Sequence, residues 1–156
     1  MKITFTPKTR NTRFLLSLIL VLLLTTSSKA QLKVAQYSFG KYGTEKYEHF
    51  EFLTQGGKRT AIIYSYGSPQ KETKLYYVGT SRINGDTCFK VRFANAYTLY
   101  VIPKELQLRI TDSAGKYDKT FSWQYEGPVN GIGTHCETCA ENETDALNMI
   151  QSSYLK

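Results

Sequence analysis

Three cysteines and two histidines carry most of the chemistry that this 156-residue sequence could perform. Cys136 and Cys139 make a Cys-x-x-Cys pair within the stretch Gly127 to Cys139, His135 stands immediately before it, and Cys88 lies far upstream. At the start of a helix such a pair has its thiolate favoured by the positive end of the helix dipole, the setting for thiol redox work. The same cysteines could instead hold the fold. A bridge from Cys88 to Cys136 or Cys139 would close a loop of about fifty residues and stabilise by roughly 4 kcal/mol in the chain-entropy account, against roughly 2 for the tight 136-to-139 loop. Stability favours the long bridge and reactivity the short one. A structural disulfide is expected ahead of redox chemistry, because a thioredoxin-like pair belongs after an early strand in a βαβ unit and this one follows a long run of strand-like sequence.

His135, Cys136 and Cys139 also supply two thiolates and an imidazole, and Cys88 or His49 could complete a tetrahedral zinc site. The second paired motif of a zinc module is missing. Covalent haem attachment needs a histidine after the second cysteine, and Ala140 stands there. No cofactor is expected. Hydrolytic chemistry has little support, since there is no Gly-x-Ser-x-Gly and His49, flanked by Glu48 and Phe50, reads as an exposed or paired surface histidine. Gly56-Gly57 reads as a hairpin turn rather than a phosphate cradle. A non-catalytic protein is the expectation.

The elements that must position these residues are mostly strands. All 12 tyrosines follow residue 30, Val, Ile and Phe are frequent, and turn residues recur every ten positions or so. Strands are predicted at 32–38, 46–54, 59–66, 73–80, 87–94, 97–102, 105–111 and 118–126. Phe89, Val91 and Phe93 alternate with Cys88, Lys90 and Arg92; Leu106, Leu108 and Ile110 alternate with Gln107, Arg109 and Thr111; Phe121, Trp123 and Tyr125 alternate with Ser122, Gln124 and Glu126. Period-two patterning over neighbouring segments with short connections implies an antiparallel sheet with one buried and one wet face. Ile62, Ile63, Leu75, Tyr76, Tyr77 and Val78 are apolar on both faces, so those strands are expected to be covered on both sides or to lie at a closure.

Beyond Cys139 the period changes. Ala146, Leu147, Met149, Ile150, Tyr154 and Leu155 fit one face of a helix near 140–154, with Thr138 and Glu141 as a capping box and Asn142 as a competing start. Asn142-Glu143-Thr144 also matches a glycosylation acceptor, with capping the better reading. The fold class is therefore mainly β: a curved antiparallel sheet, half-barrel or closed barrel, with one C-terminal helix packed on it. Its apolar side, with Phe89, Phe93, Leu106, Leu108, Phe121, Trp123 and Tyr125, either lines a cavity for an apolar ligand or fills itself as small barrels do. Tyr37, Tyr42 and Tyr47 could form an interface patch.

Residues 1–30 read as a signal peptide: a basic start (Lys2, Lys8, Arg10, Arg13), an apolar run from Phe14 to Leu24, and Ser28-Lys29-Ala30 as a cleavage site. The apolar run is about half the ~20 residues needed to cross a bilayer as a helix. Residues 31–156 then form a single domain, exported to a periplasmic or extracellular compartment, with no transmembrane segment. Removing the leader leaves 15 basic against 13 acidic side chains, a net charge of +2, so the basic pI near 9.3 does not argue for nucleic acid.

From Gly79 onward the wording resembles a family. Gly79-Thr80, Ile83-Asn84-Gly85-Asp86, Phe89-Lys90-Val91, Tyr100-Val101-Ile102-Pro103-Lys104, Phe121 through Tyr125, and Val129-Asn130-Gly131-Ile132 look like phrases of the carriers that sort lipoproteins to the bacterial outer membrane. The resemblance covers about residues 79–132. It implies a curved half-barrel with helices across its concave side and an apolar cavity for acyl chains. This sequence lacks the helix that opens the family, and the carriers do not generally need a Cys-x-x-Cys there. The leading expectation is an exported envelope protein that holds an apolar or lipid-like ligand. A thiol redox or metal protein using Cys136 and Cys139, and a structural module meeting a protein partner, are the alternatives.

Overall fold

The computed structural model describes residues 31–124, 127–129, 132–134 and 138–156. The leader, Tyr125, His135 and Cys136, on which several expectations fall, lie outside them. Eight strands follow one another around a closed antiparallel barrel: β1 (Leu32–Phe39), β2 (Glu48–Gln55), β3 (Lys58–Tyr66), β4 (Lys71–Ile83), β5 (Asp86–Arg92), β6 (Thr98–Lys104), β7 (Gln107–Thr111) and β8 (Asp118–Gln124). Every sequence-predicted strand is present. Of the half-barrel and closed alternatives, the closed one forms. A short hairpin, β9 (Gly127–Val129) with β10 (Ile132–Thr134), then leads toward the single described helix, α1 (Glu143–Tyr154).

The turns set the register. Gly56 and Gly57, at φ 58° and 72°, make a two-residue connection between the paired Gln55 and Lys58. Positive φ at both positions matches the right-handed twist of the flanking strands and suits glycine best. With that register, Tyr37, Phe50, Phe52, Phe89, Phe121, Leu108 and Ile110 all point inward and are fully buried. Ring follows ring through the interior: Phe50 meets Phe121 edge-on at 5.1 Å between centroids, and Phe52 meets Phe89 at 5.8 Å. This is an aromatic core that fills the barrel, as an eight-stranded circumference allows.

Closure is brief. Among the described residues, β1 pairs with β8 through Gln36, Tyr37 and Ser38, against Gln124, Trp123 and Ser122. Nearer its start, β1 is completed by the returning chain: the Val34 N–H donates to the Thr138 carbonyl at 2.9 Å and the Ala140 N–H donates to the Val34 carbonyl at 2.8 Å, a parallel bridge between Val34 and Cys139.

The helix begins at Asn142, the competing start, and not at 140. Asn142 Oδ1 accepts from the Asp145 N–H at 2.9 Å, while the Asp145 carboxylate accepts from the Glu141 N–H at 3.1 Å. Reciprocal bonding of this kind satisfies N–H groups that the helix leaves open. Ala146, Met149, Ile150, Ser153 and Tyr154 form its buried face and close one end of the barrel. Tyr154 is the deepest plug: its ring lies 5.2 Å from that of Phe89 and 5.5 Å from that of Phe52, and its hydroxyl donates to the carbonyls of Leu53 and Ala61 at 3.0 and 3.1 Å. The Leu53 carbonyl lies beside a bulge between Leu53 and Thr54. At Ala61, β3 no longer pairs with β4.

Several expectations are corrected. Leu106 belongs to the β6–β7 turn and is 42% exposed, because the alternation that includes Leu108 starts one residue later. Tyr76 and Val78 are about half exposed, so β4 is not covered on both sides. Tyr37 and Tyr47 are buried, which leaves only Tyr42 of the supposed tyrosine patch at the surface. His49 is buried as well as paired. The expected long disulfide from Cys88 to Cys136 or Cys139 does not form: Cys88 is a free, buried thiol. The reason is geometric. Cys139 lies against β1, whereas Cys88 is on β5, four strands away around an eight-stranded ring and on the face opposite Phe89. A disulfide needs Cα atoms within about 7 Å.

Candidate functional site

The open rim of the barrel, opposite α1, gathers the polar and aromatic side chains most suited to hold something. Antiparallel order puts the β1–β2, β3–β4, β5–β6 and β7–β8 connections at this one end. Glu48 opens β2, Tyr64 and Tyr66 end β3, Phe93 follows β5, and Tyr117 and Lys119 stand at the start of β8.

Glu48 and Lys119 both occupy inward register positions, on the same faces as Phe50 and Phe121 respectively. Two opposite charges turned into an apolar wall must pair or pay for desolvation. They pair. Lys119 Nζ donates to one Glu48 oxygen, and the Tyr117 hydroxyl donates to the other. The ammonium also sits 4.9 Å from the Tyr117 ring centroid and 5.0 Å from that of Phe39, within range of the ring quadrupoles. Burial, followed by the neighbouring carboxylate, pushes the Tyr117 and Tyr64 phenols well above their ordinary value. Both phenols therefore stay neutral and act as hydrogen-bonding walls.

Above this cluster lies a cleft of about 410 Å³, lined by Tyr64, Tyr66, Lys71, Thr73, Phe93 and Asn95 among others. Tyr64 and Tyr66 stack at 5.5 Å and 18°, Tyr64 meets Phe93 edge-on at 5.6 Å, and Phe93 leans on Tyr97 at 5.8 Å. The volume falls in the usual range of small-molecule sites, with apolar faces and a few polar groups at the edge. A second cleft of about 490 Å³ runs between α1 and the β1–β2 side, but Met149 is the one large apolar side chain lining it.

On the neighbouring wall, His49 Nε2 lies 3.3 Å from Glu51 and its Nδ1 lies 3.4 Å from the Tyr47 hydroxyl. The His49 hydrogen bond is the first cause that holds the Glu51 carboxyl below its ordinary value, against the opposing effect of burial. Cys88 is kept protonated by its surroundings, burial pushing its thiol up.

Of the residues expected to line a cavity, Phe89, Leu108 and Phe121 are spent in the packed core. Phe93 reaches the rim cleft, Trp123 is half-buried beside the core, Leu106 is in a turn, and Tyr125 lies outside the described residues. The proposed metal ligands His135 and Cys136 also lie outside them; among the described residues no group of three or more His, Cys, Asp and Glu gathers. Sequence reasoning missed Glu48, Tyr64, Tyr117 and Lys119. For two of them a signal was present: Lys119 stands between Tyr117 and Phe121, and Glu48 precedes Phe50 and Phe52, each on the inward side of its strand.

The chain is thus an up-and-down eight-stranded barrel, plugged at one end by a helix and open to an aromatic, charge-lined rim at the other. No family model, no curated protein and no solved structure matches it. Among the described residues no helix is long and apolar enough to cross a membrane.

Proposed function

We propose that this chain is an exported, non-catalytic binding protein that holds a small ligand with an apolar or ring-like face at the open rim of its barrel. The observation that carries the reading is the rim cleft, where Tyr64, Tyr66 and Phe93 offer aromatic surface beside Lys71, Thr73 and Asn95. A ligand there keeps its polar edge toward solvent and its apolar face on the rings. The interior favours the rim over the barrel lumen, since a ligand within would have to displace Phe50, Phe89, Phe121 or Tyr154 from close mutual contact. The leader-like N-terminus supports export. A lipid-like ligand remains compatible if its apolar end lies along the rim, which differs from the enclosed acyl cavity implied by the sorting carriers.

The test is native mass spectrometry of the exported protein, followed by titration with a fluorescent apolar probe such as anilinonaphthalene sulfonate and displacement by fatty acids and aromatic compounds. Saturable one-to-one binding, weakened about tenfold or more by the pair Tyr66→Ala and Phe93→Ala, is expected. Binding unaffected by that pair, or no saturable binding at all, would overturn the reading.

A further inference from the structure

The outer wall of the barrel carries a second feature that the rim does not use. β4 is 13 residues long, yet β3 pairs with it only from Lys71 to Leu75. Beyond that point β4 pairs with β5 alone, and a bulge between Tyr77 and Gly79 inserts Val78 as an extra residue. Gly79 takes φ 143° at the bulge, a conformation that side-chain-bearing residues rarely adopt. Tyr76 and Val78 are left 50% and 48% exposed.

Cations surround this apolar pair. Arg92 is the cross-strand partner of Tyr76, and Lys90 stands opposite Gly79 and next to Tyr100 of β6. Lys74 lies two residues before Tyr76 and on the same outward face, because its neighbour Leu75 is buried. Adjacent strands are about 4.8 Å apart and alternate residues about 7 Å apart, so these side chains form one continuous patch. None of Lys74, Lys90 and Arg92 joins an ion pair among the described residues; Asp118, farther around the wall, is held by Arg109 through two bonds at 2.8 and 2.6 Å.

We propose that this outer face of β4 to β6 docks on an anionic lipid surface. Charge complementarity selects an anionic partner, and the exposed Val78 beside Tyr76 selects lipid over a soluble polyanion, which has no use for an aliphatic side chain. Lys74, Lys90 and Arg92 meet the headgroups, the tyrosines sit at the depth where aromatic rings favour the interface, and Val78 enters the acyl boundary. This site is on the barrel's side wall and is independent of the rim cleft.

The test is co-sedimentation of residues 31–156 with vesicles of phosphatidylcholine alone and of equal parts phosphatidylcholine and phosphatidylglycerol. Binding to the anionic vesicles only, falling as salt rises, is expected. The combined change Lys74→Gln, Lys90→Gln and Arg92→Gln should weaken it by about tenfold or more, the contacts of the exposed Lys74 and Arg92 and the half-buried Lys90 adding. Val78→Ser should weaken vesicle binding while leaving retention on a sulfated polysaccharide resin unchanged. Circular dichroism checks that each variant keeps the barrel, and the single exposed reversal Lys74→Glu serves if the triple change unfolds it. Equal binding to neutral vesicles, binding indifferent to the charge changes, or loss of polysaccharide and vesicle binding together with no effect of Val78→Ser would overturn the proposal.

Discussion

The plug formed by Tyr154 offers the sharpest test of how the helix and barrel depend on each other. Tyr154 is fully buried, with its ring against Phe52, Phe89 and Tyr77 and its hydroxyl shared between two strand carbonyls. Tyr154→Phe keeps the ring and removes only the donor. The carbonyls of Leu53 and Ala61 then lose the one proton they share, at a cost of about 1–2 kcal/mol. Tyr154→Ala removes the ring too and leaves a cavity among side chains that cannot collapse far, adding about 3–5 kcal/mol. A domain of this size has about 5–15 kcal/mol in total, so the alanine variant should sit near its unfolding threshold and the phenylalanine variant should not. Urea titrations of residues 31–156 followed by circular dichroism would read both midpoints. A cost below about 1 kcal/mol for Tyr154→Ala, or equal losses in the two variants, would show that the ring carries no packing energy.

Four further outcomes are expected. Glu48→Gln leaves the half-buried Lys119 ammonium without its counter-charge and should destabilise by about 1–3 kcal/mol in the same urea assay, with Lys119→Met on the same background recovering part of the loss. Glu51 has its carboxyl depressed chiefly by the His49 hydrogen bond, so its contribution is present above the ordinary carboxylate value of 4.5 and is lost as pH falls through the lowered one; Glu51→Gln should flatten that acid-side decline in a pH series of unfolding midpoints. The buried Tyr37 hydroxyl has no hydrogen-bond partner among the described residues, and Tyr37→Phe should be neutral or stabilise by about 1 kcal/mol. Cys88, buried and with its thiol pushed up, should resist iodoacetamide in the folded chain and react once urea unfolds it, as peptide mapping would show.

Much of the barrel is legible in the sequence because strand formation and facing are short-range matters. Phe89 and Val91 against Lys90 and Arg92 assign inward and outward sides without any knowledge of partners, and Gly56-Gly57 and Asn84-Gly85 allow the positive φ values of tight turns. The helix is equally local, its buried face repeating at Ala146, Met149, Ile150 and Tyr154 and its start fixed by the Asn142 side chain. Residues outside these regular series were harder to place. Leu106 lies in the turn just before its strand, and Tyr76 and Val78 are exposed because β3 stops pairing beside them.

Strand positions, the facing of most side chains and the single covering helix follow from alternation, turn chemistry or helical period within a dozen residues. Closure of the sheet is a tertiary matter, because it rests, among the described residues, on a short seam between β1 and β8 that no local pattern announces. Closure in turn put Cys88 on the wall across from Cys139 and brought Glu48 to Tyr117 and Lys119, partners 69 and 71 residues apart. Contacts between residues so distant along the chain are set by which strands become neighbours around the ring, and that is a property of the whole barrel.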